Sequence, residues 1–273
     1  MNPRLQLALT LVRQTGVEIA RAFAHRTHVL YEKSANDFAT ETDRAVEQHI
    51  ADAIASAFPG DVLLGEEGGE RVLGNAAATG VRWIVDPLDG TYNFVHGFPY
   101  FATSIAIEAD GVVQCGVIGN PLTGEIFSAG LGFGAWRRAP AQDHPEQLSV
   151  SGCVGLHRAL VGTVLPSGAH LSFATVLPAW TAIAQAAGSV RRTGAAALDL
   201  AHVAAGAMDG FFVMSLAAWD AAAGALMVDE AGGRVCDFDG GDRFLRTHQV
   251  VAGNAAVVAD MLPLLKAHAK FGK

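Results

Sequence analysis

Between Arg82 and Phe94 the chain reads RWIVDPLDGTYNF, and its chemistry is concentrated in two carboxylates, Asp86 and Asp89, three positions apart. They follow the apolar run Trp83-Ile84-Val85, with Pro87 stiffening the turn and Gly90-Thr91 behind it. A buried strand that ends in two acids builds a core poorly. It suits a hard divalent cation, because carboxylate and carbonyl oxygens are what Mg²⁺ prefers. The chain is expected to re-enter a helix near Thr91, so that free backbone N–H groups face whatever lies beside the acids, and an anion fits there. Cations next to an anion-binding helix start point to phosphate chemistry. Asp-Pro and Asp-Gly are also common turn formers, and DPLDGT alone is compatible with a simple strand-to-helix turn.

Two further acids share this context. Glu66 follows Leu63-Leu64 in a Gly65-Glu66-Glu67-Gly68-Gly69 segment, and Asp220 follows Trp219 where a helix is expected. Taken singly, Glu66 reads as a loop acid and Asp220 as an N-cap, a position that Asp favours. Their concurrence with DPLDGT makes accident a poor explanation.

The elements that must position these acids follow from periodicity. Leu5, Ala8, Leu9, Val12, Ile19 and Phe23 recur at helical spacing, which predicts an amphipathic N-terminal helix and not a signal peptide. Ser34 to Thr40 is expected to be a polar loop. Thr40 and Asp43 have capping-box spacing ahead of a helix whose Val46, Ile50, Ile54 and Ala57 share a face, ended by Pro59-Gly60. Residues 62–64 and 82–86 read as strands, 103–109 and 112–118 as a hairpin around Asp110-Gly111, and 125–129 and 134–138 as more antiparallel sheet. The glycines of GLGFG (130–134) suit a hairpin turn, since no helix follows them as a nucleotide loop requires.

The stretch 139–149 is the most linker-like, which divides the chain into an α+β half, 1–145, carrying most of the acids, and an α/β half, 146–273, carrying Asp220. In the second half, strands at 160–165, 190–193, 210–214, 234–238 and 249–252 alternate with helices at 175–187, 196–205, 221–231 and 255–270. Such alternation implies a sheet with helices packed against it. Asp237 to Asp242 (DFDGGD) resembles a cation loop but lacks a later bidentate Glu, and is expected to be an exposed turn.

Composition excludes other classes. With 51% hydrophobic and 17% charged residues in 273, the chain can bury a large core and is not disordered. A net charge of −8 with no basic stripe argues against a nucleic-acid partner. No stretch is long and apolar enough for a membrane span. The widely spaced Cys115, Cys153 and Cys236 fit reduced, mostly buried thiols of a cytoplasmic protein.

The segments Gly65-Glu66-Glu67, Trp83 through Thr91, and Trp219-Asp220 followed by Glu230-Ala231-Gly232-Gly233 resemble the inositol monophosphatase family of lithium-sensitive, magnesium-dependent phosphatases. Asp37 to Asp43 (DFATETD) and Arg192 to Ala197 also look like family segments, so the resemblance spans nearly the whole chain in order. It implies an α+β fold, a layered αβαβα sandwich with the site between the halves, and a homodimer. It implies that Glu66, Asp86 and the Leu88 carbonyl hold one Mg²⁺, that Asp86, Asp89 and Asp220 hold a second with Asp86 bridging, and that a third sits more weakly near Glu66. Thr91 with Glu66 would orient and deprotonate the attacking water, and the N–H groups of Gly90 and Thr91 would grip the phosphate. Asp89, Asp220 and the backbone at Ala195-Ala196 would contact the rest of the substrate. Asp43 would support the metal shell and Lys33 would lie near the phosphate. The physics agrees, because a phosphomonoester dianion repels hydroxide unless clustered cations neutralise it.

For the substrate, the resemblance implies inositol 1-phosphate or a similar small polyol or sugar phosphate; phosphoadenosine phosphate, histidinol phosphate and sugar bisphosphates are the alternatives. Phe94 to Pro99 looks like the inositol branch. Val213, however, stands where relatives that take inositol phosphates have an acid, and losing such a charge-assisted bond costs about 1.5–3 kcal/mol. Tyr92 replaces a smaller hydroxyl residue beside Thr91. Some bacterial members of the family act as accessory proteins on transcription complexes, which is a non-enzymatic alternative.

Overall fold

The computed structural model describes residues 2–25, 30–34, 37–165 and 172–268, with the backbone alone at 30, 32–34 and 37–38. A helix, Pro3–His25 (α1), buries Ala8, Val12 and Ile19 of the expected face, together with Leu11 and Thr15, which the spacing does not include. Leu30–Ser34 (β1) and Asp37–Thr40 (β2) form an antiparallel hairpin where a polar loop was expected. Cross-strand pairing satisfies that backbone, and local composition does not reveal it. Glu41–Ala57 (α2) starts with the expected capping box: the Thr40 hydroxyl accepts from the Asp43 N–H, and the Asp43 carboxylate accepts from the Thr40 N–H.

Next come Val62–Gly65 (β3), Gly69–Val72 (β4), Val81–Asp89 (β5), the short helix Thr91–His96 (α3), Ala102–Ala109 (β6), Val112–Gly119 (β7), Ile126–Gly130 (β8), Gly134–Arg138 (β9) and Glu146–Gln147 (β10). Together the strands form an eight-stranded sheet in the order β10-β9-β8-β7-β6-β5-β3-β4. Asp110 and Gly111 turn β6 into β7 with φ of 52° and 75°, the left-handed pair that a tight Asp-Gly hairpin needs. β10 lies in the stretch expected to be linker and completes this sheet by pairing with β9.

The remaining elements are Leu160–Thr163 (β11), Phe173–Ala186 (α4), Ser189–Arg191 (β12), Ala196–Ala204 (α5), Gly210–Val213 (β13), Ala218–Glu230 (α6), Arg234–Cys236 (β14), Phe244–Thr247 (α7), Val250–Gly253 (β15) and Ala255–His268 (α8). Their strands form a mixed five-stranded sheet in the order β12-β11-β13-β15-β14. The DFDGGD stretch is only partly the exposed turn expected. Asp237 and Phe238 are buried, and Asp237 Oδ1 accepts the N–H groups of Asp239 and Gly241.

Strand alternation explains the layering, because successive side chains point to opposite faces. On β5, Trp83 and Val85 join the cluster beneath α1 and α2, while Ile84 joins the one around α5 and α6. On β13, Phe211 and Val213 face α5 and α6, and Phe212 faces the cluster of α4 and α8. The result is α1 and α2, the first sheet, α5 and α6, the second sheet, then α4 and α8: the expected α+β sandwich of five layers, αβαβα. The middle helices are rich in alanine and pack against both sheets, so the two halves share one core there.

Candidate metal site

β5 carries its pairing with β6 through Asp86 and, after an irregularity, to Asp89. The intervening turn is pinned by two bonds: the Asp86 carboxylate accepts the Leu88 N–H at 2.9 Å, and the Thr103 hydroxyl donates to the Pro87 carbonyl at 2.9 Å. Gly90 then starts α3 with φ of 91°, and a Cβ there would lie 3.0 Å from the Tyr100 carbonyl oxygen and 3.2 Å from the Ala195 and Phe101 side chains. Both the left-handed backbone and the crowding require glycine.

This geometry brings three predicted acids together. Carboxylate oxygens of Asp86, Asp89 and Asp220 all lie within 4.8 Å of one another, with Asp86 only 1% and Asp89 8% exposed. Asp220 sits in the first turn of α6 and is not its N-cap, which is Ala217. Burial, followed by the charges of Glu66, Asp220 and Asp89, holds the Asp86 carboxyl well above the usual carboxylate range. Asp89 is raised in the same way, first by burial and then by Asp220, although the Ala197 N–H opposes the shift. Acids that cannot all ionise alone form a donor set suited to a hard divalent cation.

Glu66 lies at the end of β3, its N–H donating to the Val85 carbonyl at 3.2 Å, and its charge acts on both Asp86 and Asp89. The loop carrying it rests on Glu47, which sequence reasoning missed. Glu47 is 3% exposed, accepts the Glu67 N–H at 2.8 Å and pairs with Arg71 at 3.2 Å. A signal existed: Glu47 shares the buried face of α2 with Asp43, Val46, Ile50 and Ile54.

Thr91 opens α3, and its hydroxyl oxygen lies 2.9 Å from Asp43 Oδ1 and 3.0 Å from the Leu88 carbonyl oxygen. The other Asp43 oxygen accepts from the Thr40 N–H and hydroxyl, so Asp43 is placed to orient Thr91 and is not one of the three clustered carboxylates. Ala195 and Ala196 are buried at the start of α5, and next to them the Ala197 N–H donates to Asp89 Oδ2 at 2.7 Å. Val213 is a core residue of the second sheet that faces the middle helices, and Tyr92 is exposed with its ring 4.9 Å from that of His96. Lys33 lies on β1, and its side chain falls outside the described residues.

The model of the inositol monophosphatase family matches residues 1–269. The chain is 40% identical to the Nus factor SuhB of Pseudomonas aeruginosa over 271 residues, covering 98% of this chain and 97% of that protein. Among solved structures, the extragenic suppressor protein suhB of Bartonella henselae superposes with a TM-score of 0.87 at 36% identity, covering 96% of this chain and 97% of that one. The IMPase of Thermotoga maritima superposes with a TM-score of 0.83 at 29% identity, covering 97% of each.

Proposed function

This chain belongs to the inositol monophosphatase family, and from that premise we propose that it is a Mg²⁺-dependent phosphomonoesterase acting on inositol 1-phosphate or a similar small polyol or sugar phosphate. The observation that carries the proposal is the convergence of Asp86, Asp89 and Asp220, two of them buried, from both halves of the chain. Glu66, Asp86 and the Leu88 carbonyl would hold one cation, and Asp86, Asp89 and Asp220 a second. When bound, Mg²⁺ supplies neutralisation of the phosphate dianion, a more acidic water and stabilisation of the departing alkoxide. The chain's own groups do the rest. Thr91 and Glu66 orient the attacking water and take its proton, with Asp43 fixing the Thr91 hydroxyl. The N–H groups of Gly90 and Thr91 grip the phosphate. Asp89, Asp220 and the backbone at Ala195-Ala196 border the alcohol.

Lithium inhibition, a homodimeric state, a cytoplasmic location and a division of the chain at 145/146 belong to the same reading. The test is a phosphate-release panel of inositol 1-phosphate, small sugar phosphates, phosphoadenosine phosphate, histidinol phosphate and a sugar bisphosphate, with Mg²⁺, Mn²⁺ or Ca²⁺. The proposal expects Mg²⁺-dependent release from inositol 1-phosphate or a close polyol or sugar analogue, suppressed by high-millimolar Li⁺. Inactivity on the whole panel at saturating Mg²⁺ sinks it.

A second reading comes from the relatives' names. A Nus factor at 40% identity favours a role beside transcription complexes, and the expectation that nucleic acid is no partner finds no support there. Recovery of RNA polymerase components with the Asp86→Asn protein would favour that role over catalysis.

A further inference from the structure

Beside the acids, the two halves of the chain are gripped twice at the same pair of residues. Asn93 Nδ2 donates to the Tyr100 carbonyl at 2.7 Å and to the Thr193 carbonyl at 2.9 Å. Asp199 Oδ1 accepts the hydroxyls of the same two residues, Tyr100 at 2.8 Å and Thr193 at 2.7 Å. Asn93 and Asp199 thus clamp Tyr100 of the first half to Thr193 of the second, one through their carbonyls and the other through their hydroxyls. Gly194 permits the close approach: φ there is 93°, and a Cβ would lie 2.9 Å from Asn93 Nδ2.

The clamp is adjacent in sequence to the candidate metal site at both of its anchoring helices, α3 and α5. Asn93 lies two residues beyond Thr91 on α3. Asp199 lies two residues beyond Ala197, whose N–H holds Asp89 Oδ2 at 2.7 Å. An Ala197 N–H that shifted relative to Asp89 would release one oxygen of that carboxylate, and the group could then turn about its own axis.

We propose that Asn93 and Asp199 are positioning residues for the metal site: by locking Thr193 to Ala197 against Tyr100 they keep the Ala197 N–H on Asp89 and so orient the Asp89 carboxylate toward Asp86 and Asp220. This inference rests on the reading of those acids as cation ligands. Cohesion alone is a weak reason for the arrangement. Asp199 is fully buried, and its Oδ2 has no hydrogen-bond partner among the described residues. Apolar side chains would join two packed layers without burying an unsatisfied carboxyl oxygen. Directional bonds hold an angle that apolar contacts do not. Groups that orient metal ligands typically change metal affinity 10- to 100-fold when removed.

The test is divalent binding itself, followed by Mn²⁺ electron paramagnetic resonance and Mg²⁺ calorimetry, on wild type, Asn93→Ala, Asp199→Ala and Asp199→Asn. Asn93→Ala and Asp199→Ala are expected to weaken binding about 10- to 100-fold and to raise the Mg²⁺ requirement more than the substrate KM. Asp199→Asn keeps an oxygen for the same two hydroxyls and should restore most of the affinity. Asp61→Asn alters a buried acid just before β3, held by Arg4 of α1 and Trp83 of β5, and should lower the melting temperature while leaving Mn²⁺ affinity unchanged. If the alanine variants fail to fold, Tyr100→Phe and Thr193→Val remove the hydroxyls singly, and each should weaken Mn²⁺ binding several-fold. Wild-type affinity in folded Asp199→Ala, or in both hydroxyl variants, overturns the inference alone. Absence of any Mn²⁺ or Mg²⁺ binding by the wild-type protein overturns the functional reading and this inference with it.

Discussion

Asp89 caps a helix that belongs to the other half of the chain. Its Oδ2 accepts the Ala197 N–H at 2.7 Å in the first turn of α5, where the N-cap residue, Ala195, has no side chain able to do so. One carboxylate therefore satisfies an orphan helix donor and contributes to the acid cluster at once. The two duties separate under substitution. Asp89→Asn keeps an acceptor and loses the charge, whereas Asp89→Ala loses both. Both variants are expected to lose turnover by orders of magnitude in a phosphate-release assay. In metal-free denaturant unfolding, only Asp89→Ala should lose the capping contribution, about 1 kcal/mol. Equal stability of the two variants would show that the Ala197 bond contributes nothing.

Asp86 sets activity against stability. It is buried among like charges, and both burial and the neighbouring Glu66, Asp220 and Asp89 raise its pKa. Asp86→Asn removes a charge that the metal-free fold accommodates at a cost. The melting temperature in EDTA should therefore rise above wild type while turnover falls by orders of magnitude and the Mg²⁺-induced stabilisation shrinks. Thermal melts with and without Mg²⁺ check all three. Wild-type-like hydrolysis by Asp86→Asn at saturating Mg²⁺ would remove Asp86 from the chemistry.

The acids were legible in the sequence because Asp86 and Asp89 end an apolar strand, a costly place for carboxylates, and because Glu66 and Asp220 recur in similar settings beside it. The strand and helix pattern was legible as well, since apolar periodicity of 2 and of 3.6 survives in single segments. The layering was carried by family resemblance and not by periodicity. An alanine-rich helix such as α6 gives no clue to which two sheets it will separate. What local reading missed depends on contacts far apart in the chain. Glu47 looks like one more helix acid until Gly65 and Gly68 close over it. Asp237 looks like a turn residue until its backbone partners bury it. The β1–β2 hairpin is held by pairing that polar composition hides.

The raised carboxyls give the metal-free protein a definite pH response. Burial pushes Asp199 up to about 7 and Asp229 up to about 6, and Asp86 and Asp89 are raised by burial and mutual repulsion. Above the unfolded value of 3.8, these carboxyls bind more protons in the folded chain than in the unfolded one, so their contribution to stability falls as pH rises through 6 to 7, while burial holds the single imidazole of His202 down and opposes them there. Asp61 acts in the opposite sense. Burial alone would raise it, but bonds from Arg4, Thr79 and Trp83 hold it below 3.8, so its contribution is constant above that pH and is lost only in acid. The EDTA-treated protein should therefore melt higher at about pH 5.5 than at about pH 8. Mg²⁺ should raise the melting temperature more at the higher pH, because the cation takes the place of protons there. A scanning-fluorimetry grid of pH and Mg²⁺ tests the ordering, and a larger Mg²⁺ effect at the lower pH would contradict it.

The loop that presents Glu66 is closely packed at Gly65. A Cβ there would lie 2.4 Å from Glu47 Oε2, closer than real side chains approach. In Gly65→Ala, either Glu47 leaves its bonds to the Glu67 N–H and Arg71, or β3 moves; both displace Glu66. The variant is expected to lose about 1–3 kcal/mol through overpacking and to need more Mg²⁺ for half-maximal activity. Glu47→Ala removes the obstacle along with the support, so the double variant should lose less than the sum of the single losses. Contacting residues couple in this way, by about 0.5–3 kcal/mol. Unfolding midpoints of the four proteins measure the coupling. Simple additivity would mean that Gly65 is glycine for a reason unrelated to Glu47, and that the placement of Glu66 has another origin.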